Sequence, residues 1–106
     1  MAQFDVHRNI GKLREDIPFV VLVQSSLYDN YRRRVLVPLV RKSLLPRIAD
    51  PAFNPTFRIE NILVLLHPLE IASVPREQIG KFVLSLEKEG GRIMDALDRL
   101  LTRAWK

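Results

Sequence analysis

One stretch, residues 31–45, constrains the fold more than any other part of the chain. Its centre, residues 35–40, is an apolar and mostly β-branched run that is too short for a capped helix and typical of a strand covered on both faces. Pro38 has no N–H to give to a neighbouring strand, so we expect the strand to loosen or end near it. Arg32, Arg33 and Arg34 precede the run, and we expect them at an exposed strand entrance, because unpaired guanidinium groups are almost never buried.

The length and composition predict one soluble domain over residues 1–106, without a cofactor or a metal site. The chain has no cysteine, and His7 and His67 are too few good ligands for a structural zinc site. The first residues lack the basic and apolar regions of a secretory signal, and no apolar run reaches the roughly 18 residues of a membrane span. We therefore expect a cytoplasmic protein that does not enter a membrane.

The net charge of +5 is compatible with two classes of partner. Clustered Lys and Arg gain affinity for nucleic acid by releasing counterions from phosphates. An acidic protein partner explains the charge equally well. A solvated strand edge at Arg32, Arg33 and Arg34 is the plain structural alternative.

Period-2 alternation and short apolar runs predict most of the strands. Residues 3–7 alternate, with Phe4 and Val6 inward and His7 outward, and residues 19–23 form a buried strand that we expect to pair with residues 35–39. The loop between that pair carries Leu27 and Tyr28 among polar residues. Two bulky side chains at a loop tip are candidates for contact with a partner.

The second half of the chain predicts a hairpin and then a terminal helix. Residues 56–59 and 62–66 are separated by Glu60-Asn61, a spacing that suits a tight hairpin, and residues 71–75 form a short extended piece. We expect short helical segments within residues 41–50 and near residues 78–82. From Ile93 onward, apolar residues recur on one helix face as far as position 104. Strands followed by one amphipathic helix indicate a mainly β fold, an antiparallel sheet or partly open barrel with the helix packed on it.

Several short blocks occur in order along almost the whole chain. They are Gln3-Phe4, Val23-Gln24-Ser25, Arg33-Arg34, Val35-Leu36-Val37-Pro38-Leu39, Leu44-Leu45, Ala72-Ser73-Val74-Pro75 and Ile79-Gly80. With these blocks at matching spacing, the chain resembles the CcdB toxins of bacterial toxin–antitoxin modules. The resemblance implies an SH3-like barrel of the CcdB/MazF type with a carboxy-terminal α-helix. It also implies a protein that traps DNA gyrase on cleaved DNA and does no chemistry of its own.

The same resemblance implies partners and contact residues. The partners are a second copy of the chain, a CcdA-like antitoxin with a disordered tail, and the gyrase A subunit, with no direct nucleic-acid binding expected without the antitoxin. The implied dimer contact consists of Ile71, Ala72, Ser73, Val74 and Pro75. The implied gyrase contacts are Leu27, Tyr28, Asp98, Leu101, Thr102, Arg103, Ala104 and Trp105.

The chain departs from the family pattern at both gyrase-contact segments. Ser26 replaces the usual acid and Tyr28 an aliphatic residue, which keeps two apolar contacts. At the other end the family's terminal Gly-Ile pair is absent, Arg103 brings bulk and charge where the family has glycine, and Trp105-Lys106 extends the chain. Trp105 either packs back on the core or supplies the aromatic contact from a shifted position.

Two alternatives to gyrase poisoning remain open at this point. One is a retargeted or non-toxic CcdB homologue that keeps dimer and antitoxin binding. The other is a MazF-like endoribonuclease, which needs a general base and a cation that stabilises the transition state. Arg32, Arg33 and Arg34 beside Asp29 are the local candidates for that chemistry.

Overall fold

The computed structural model describes residues 1–48 and 50–103, and for Arg103 the backbone alone. The strands are β1 (Asp5–Arg8), β2 (Phe19–Leu22), β3 (Arg33–Arg41), β4 (Thr56–Ile59), β5 (Ile62–Leu66), β6 (Ala72–Pro75) and β7 (Phe82–Ser85). Helix α1 (Gly90–Asp98) follows, and a π-helical turn (Arg99–Arg103) continues it. The strands form one antiparallel sheet, which confirms the predicted mainly β, SH3-like barrel class with a carboxy-terminal helix.

Strand β3 is the inner strand that the apolar run predicts. It pairs along one edge with β2, with Val21 opposite Val37. Its other edge pairs first with β6, through residues 33–36, and then with β5, through residues 39–41. One strand therefore holds three neighbours in place.

Of the two outcomes predicted at Pro38, an end of the strand is wrong, because β3 continues to Arg41, whereas pairing along one edge is interrupted there. Pro38 lies between the segment paired with β6 and the segment paired with β5, where no backbone partner needs a donor from this edge. Its carbonyl still accepts a hydrogen bond from the N–H of His67 at 3.1 Å. The N–H that Pro38 lacks would therefore lie at the point where this edge of β3 changes its partner from β6 to β5.

The hairpin between β4 and β5 is confirmed with the predicted boundaries. Glu60 and Asn61 have φ values of 51° and 64°, so both lie in the left-handed region that a type I′ turn requires. The Glu60 carboxylate also accepts two hydrogen bonds from the Arg8 guanidinium, at 3.1 and 2.6 Å. This contact ties the hairpin tip to β1.

The core lies between the curled sheet and α1. Its buried side chains include Val6, Phe19, Val21, Val37, Leu39, Phe57, Ile59, Val64, Leu66, Ile93, Ala96 and Leu97. Ile93 and Leu97 thus lie on the predicted helix face. Leu101, which the same periodicity places on that face, is instead 71% exposed. The π-helical turn from Arg99 has more residues per turn than an α-helix, which shifts the helical phase.

His7 is buried, although strand alternation predicts that it points outward. The second face of the sheet is also covered, since Ile79 and Val74 pack against Val20 and its neighbours there. The Nδ1–H of His7 donates to the carbonyl of Gly80 at 2.9 Å, and its ring meets Phe82 edge-on. A segment more than seventy residues away in sequence therefore buries this side chain.

The structure differs from both predicted helical segments, one in position and one in length. The segment at residues 78–82 is wrong, since a 3₁₀ turn (Arg76–Gln78) comes earlier and β7 starts at Phe82. In residues 41–50 the structure has one 3₁₀ turn (Lys42–Leu44), and Ala49 lies outside the described residues. No helix within residues 1–48 and 50–103 is both long and apolar enough to cross a membrane.

The two glycines that begin α1 give a matched test of the helix packing. A Cβ added to Gly90 would lie 2.6 Å from Cε2 of Phe4, whereas a Cβ added to Gly91 meets no atom within 4 Å. We expect Gly91→Ala to raise the free energy of unfolding by about 0.5–1 kcal/mol, because alanine favours the helix. Gly90→Ala should lower it by about 1–3 kcal/mol through overpacking. Urea denaturation of both variants checks this, and equal effects would contradict the packing of Phe4 on Gly90.

Candidate partner-binding site

The residues that the sequence predicts as contacts lie in three places. Leu27 and Tyr28 lie in the loop between β2 and β3, residues 71–75 form β6 and its approach, and Asp98 to Thr102 lie at the end of the helix. The structure brings the first two places together, because Tyr28 and Ser73 line the same open cleft.

The loop presents bulky side chains to solvent. Ser25 caps a 3₁₀ turn (Ser26–Tyr28) by accepting a hydrogen bond from the N–H of Leu27 at 3.2 Å. Leu27 is 84% exposed and Tyr28 is 53% exposed, so neither packs in the core. A third side chain, Tyr31, is 66% exposed and meets Tyr28 edge-on, with 6.1 Å between ring centroids. These three residues form an exposed apolar patch.

Arg34 is buried beneath this loop, which corrects the prediction that all three arginines are exposed. Its guanidinium donates to the carbonyl oxygens of Tyr28 and Asp29, at 3.3 and 2.7 Å, and lies 3.7 Å from the Asp29 carboxylate. These acceptors offset the cost of burying the charge. The expectation failed because it assumed an unpaired guanidinium, whereas the loop supplies acceptors from its own backbone.

Gln24 and Arg76 fix the same loop, and sequence reasoning did not single them out. Gln24 donates to the carbonyl of Tyr28 at 2.9 Å and accepts from the N–H of Val35 at 2.9 Å. Arg76 donates to the carbonyl of Asp29, also at 2.9 Å. Gln24 is a polar residue directly after the apolar run of residues 19–23, and this position is the sequence signal that could have identified it. The loop backbone is thus held from three sides while its apolar side chains face solvent.

The predicted dimer segment lies next to the loop. Ile71, Ala72 and Ser73 are exposed, and Val74 and Pro75 are half-buried. Within the described residues β6 pairs only with β3, so its other edge is open.

Arg33 and Pro75 protect the open edge of β6. The Arg33 guanidinium donates to the carbonyl and to the hydroxyl of Ser73, at 2.6 and 2.9 Å. Pro75 has no N–H to offer a further strand. A bonded arginine side chain and a proline are common features of edge strands, where they hinder pairing with a strand of another chain. A partner at this segment would therefore contact side chains more readily than it would add a strand.

The helix end carries the remaining predicted residues. Leu101 and Thr102 are exposed and Asp98 is half-buried. The Thr102 hydroxyl lies 2.7 Å from the carbonyl and 2.6 Å from the carboxylate of Asp98, so it is bonded within its own helix. For Arg103 the structure gives the backbone alone, and Ala104 and Trp105 lie outside the described residues.

The arginine cluster does not converge on one reactive centre. Arg32 pairs with Glu77, Arg33 bonds Ser73, and Arg34 bonds the loop carbonyls.

The pKa of the Glu77 carboxyl is lowered, first by its own backbone N–H and next by Arg32. Since the folded pKa is lowered, this contribution to stability is present at neutral pH and is lost as the pH falls through that pKa.

Comparisons with known proteins give a family and a fold. Residues 3–102 match the family model described as CcdB protein. A solved structure of an endoribonuclease in complex with its cognate antitoxin from Mycobacterial species is similar, with a TM-score of 0.72 and 14% sequence identity. The alignment covers 100% of this chain and 99% of that chain, and at this identity it shows a shared fold. The sequence matches no curated protein.

The buried arginine yields a prediction about the loop. Arg34→Ala should lower the free energy of unfolding by about 1.5–3 kcal/mol, because it removes the charged hydrogen bonds from a buried guanidinium to the carbonyl groups of Tyr28 and Asp29, which then keep only their bonds from Gln24 and Arg76. Arg32→Ala removes an exposed ion pair and should change stability little. Urea denaturation of the two variants measures the contrast, and a similar small effect for both would show that Arg34 does not hold the loop.

Proposed function

The chain belongs to the CcdB protein family, and we propose that it is the toxin of a toxin–antitoxin module, that it poisons DNA gyrase by trapping it on cleaved DNA, and that its antitoxin neutralises it. The observation that carries the proposal is the family match over nearly the whole chain, residues 3–102. The similar fold of an endoribonuclease that binds a cognate antitoxin supports the antitoxin partner. We expect the protein to act in the cytoplasm, where gyrase works.

The exposed apolar residues support a function in binding. Leu27 and Tyr28 sit on a loop whose backbone is fixed by Arg34, and Leu101 is exposed at the helix end. Rigid, exposed apolar groups lose little conformational entropy when a partner covers them. We assign gyrase contact to these residues and to Asp98 and Thr102, with Arg103, Ala104 and Trp105 added from the sequence alone.

Two further features concern the antitoxin and a competing function. The net charge of +5 suits an acidic disordered antitoxin tail, which opposite charge would steer to the toxin.

The separate partners of Arg32, Arg33 and Arg34 weigh against a MazF-like ribonuclease, because transition-state stabilisation needs cations aimed at one point. The protein then acts by binding, not as an enzyme.

A homodimer is part of the proposal. The segment Ile71–Pro75 offers exposed side chains on an edge whose backbone is largely occupied, which suits a two-fold contact made by side chains. The family counterpart of this segment lies at the dimer contact. A small domain also gains core from such a contact, since it buries a modest share of its own surface.

Sedimentation tests the dimer. The wild-type chain should sediment as a dimer at micromolar concentration, and Ala72→Glu should give a folded monomer with a lower melting temperature, because a charge buried at the contact is costly and the monomer loses the stabilisation that association gives. Leu63→Glu, at an exposed position on β5, is the matched control and should leave the dimer intact. A monomeric wild type, or a dimer in both variants, would rule out this interface.

Growth arrest tests the gyrase target. Leu27→Glu and Leu101→Glu should each weaken gyrase A binding by about 30-fold, a typical loss for a buried contact residue, and should relieve growth arrest without changing the melting temperature. Met94→Glu, at an exposed position on α1, is the control and should remain toxic. Arrest that persists in cells with a resistant gyrase A subunit would point to another target.

The terminal departure gives a further outcome of the same experiment. If the full-length chain fails to arrest growth, the sequence is a retargeted homologue. In that case Arg103→Gly together with Ala104→Ile, with a stop directly after, should create toxicity by restoring the family's terminal Gly-Ile pair.

A further inference from the structure

The contact loop, residues 25–31, carries two of the proposed gyrase contacts, and its internal hydrogen bonds are local. The N–H groups of Tyr28, Asp29 and Tyr31 each donate to the carbonyl oxygen three residues earlier, at 3.1 or 3.2 Å. Such bonds give a loop a defined shape over a few residues. They do not determine where the loop lies on the surface of the protein.

Gln24 and Arg34 hold the contact loop from within its own hairpin. Gln24 lies directly before the loop in the chain, and Arg34 lies in β3, the strand that follows the loop. Gln24 donates to the carbonyl of Tyr28, and Arg34 donates to the carbonyls of Tyr28 and Asp29. Because both donors are close to the loop in sequence, they fix its shape and leave its position relative to more distant strands open.

Arg76 reaches the contact loop from a distant part of the chain. Its guanidinium donates to the carbonyl of Asp29 at 2.9 Å and lies 3.5 Å from the carbonyl of Tyr31. Its backbone N–H donates to the carbonyl of Arg32, directly after the loop, at 3.0 Å. In the described part of the chain, no other side chain from outside the β2–β3 hairpin bonds to the backbone of this loop.

The place of Arg76 in the fold decides what the loop is attached to. Arg76 directly follows Pro75, the last residue of β6, and begins a 3₁₀ turn (Arg76–Gln78). Glu77 in the same turn pairs with Arg32 at 3.1 Å, which is a second link between the turn and the hairpin. The contact loop is therefore attached to the end of β6.

The Asp29 carbonyl is the group at which both supports of the loop meet. It accepts one hydrogen bond from Arg34 at 2.7 Å and one from Arg76 at 2.9 Å. A carbonyl oxygen has two lone pairs, and charged donors make stronger hydrogen bonds than neutral ones. Two guanidinium groups therefore hold this peptide group in one orientation. Leu27 and Tyr28 come directly before it, so its orientation affects where their side chains point.

Exposure separates the effect of Arg76 from that of Arg34. Arg34 is buried, whereas Arg76 is exposed, so water can replace the bonds of Arg76 at little cost to the folded state. Loss of the Arg76 side chain should then leave the core and the sheet intact and let the loop take up additional positions. A partner that binds one of those positions meets it only part of the time, and its apparent affinity falls by the populated fraction.

We propose that Arg76 is a positioning residue of the gyrase contact. It holds the loop in one position on β6, where Leu27 and Tyr28 are presented together, and does not itself touch the partner. The inference rests on the proposed gyrase binding and adds to it a residue that no sequence pattern singles out. Arg76 lies between two of the blocks that carry the family resemblance, residues 72–75 and 79–80, so the resemblance gives it no role.

The first measurement is amide hydrogen exchange of the full chain labelled with ¹⁵N, without any partner. Arg76→Gln should speed exchange at Tyr28, Asp29 and Tyr31 by about three- to tenfold, the effect of one lost hydrogen bond of ordinary strength, with little change in melting temperature. Arg58→Gln removes the same charge from an exposed position on β4 and is the matched control. Its exchange rates at the loop should equal those of the wild-type chain.

The second measurement is the affinity for the purified gyrase A subunit, in a double-mutant cycle. Arg76→Gln alone should weaken binding by about three- to tenfold, because the loop is in the binding position for a smaller fraction of the time. In a chain that carries Leu27→Ala and Tyr28→Ala, and that binds through the helix end, the same change should have almost no further effect. No contact side chain is then left on the loop to position.

Three results would overturn the inference. The first is loop exchange in Arg76→Gln as slow as in the wild-type chain, and the second is faster exchange throughout the chain with a lower melting temperature. The third is an equal loss of gyrase affinity in both chains of the cycle, which would show that Arg76 touches gyrase directly. A wild-type chain that does not bind gyrase A would contradict the proposed function instead, and the exchange rates, measured without gyrase, still decide whether Arg76 holds the loop.

Discussion

The pairing of β3 with three strands is the constraint on which the rest of the structure depends. Its nine residues hold β2 on one edge and β6 and β5 in succession on the other. Because the second edge changes partners at Pro38, the sheet can curl around the core without leaving a backbone donor unpaired there. The start of the same strand carries Arg33 and Arg34, so the strand that organises the fold also fixes the loop and the edge where partners are expected.

The features that could be predicted from sequence are those decided by nearby residues. The β4–β5 hairpin depends on a two-residue spacing, and Glu60 and Asn61 adopt the positive φ values that this spacing demands. The position of Ile93 and Leu97 on the core face depends on helical period. Leu101 is exposed although the same period places it on the core face, because the helix changes from α to π at Arg99. The apolar pattern does not indicate that change.

The features that could not be predicted depend on distant or backbone partners. His7 is buried by a segment around Gly80, and an alternating strand pattern contains no information about what covers its second face. Arg34 is buried because its acceptors are carbonyl groups, which every residue has and which no side-chain pattern reveals. The same reason explains the candidate site. Leu27 and Tyr28 could be predicted as exposed loop residues, but the clamp that makes the loop rigid could not.

Three consecutive arginines bind three different groups of the protein, and this bears on which class of partner the positive charge of the chain suits. Arg34 is a buried clamp, Arg33 closes a strand edge and keeps one donor free, and Arg32 pairs with Glu77 on the surface. A nucleic-acid site needs guanidinium groups that remain available to successive phosphates, and a catalytic site needs them aimed at one reacting group. Here each guanidinium is engaged by a different group of the protein, so the three are not aimed at one partner. What this part of the described surface offers to a partner is therefore a loop whose backbone is held by Gln24, Arg34 and Arg76 and whose apolar side chains are exposed.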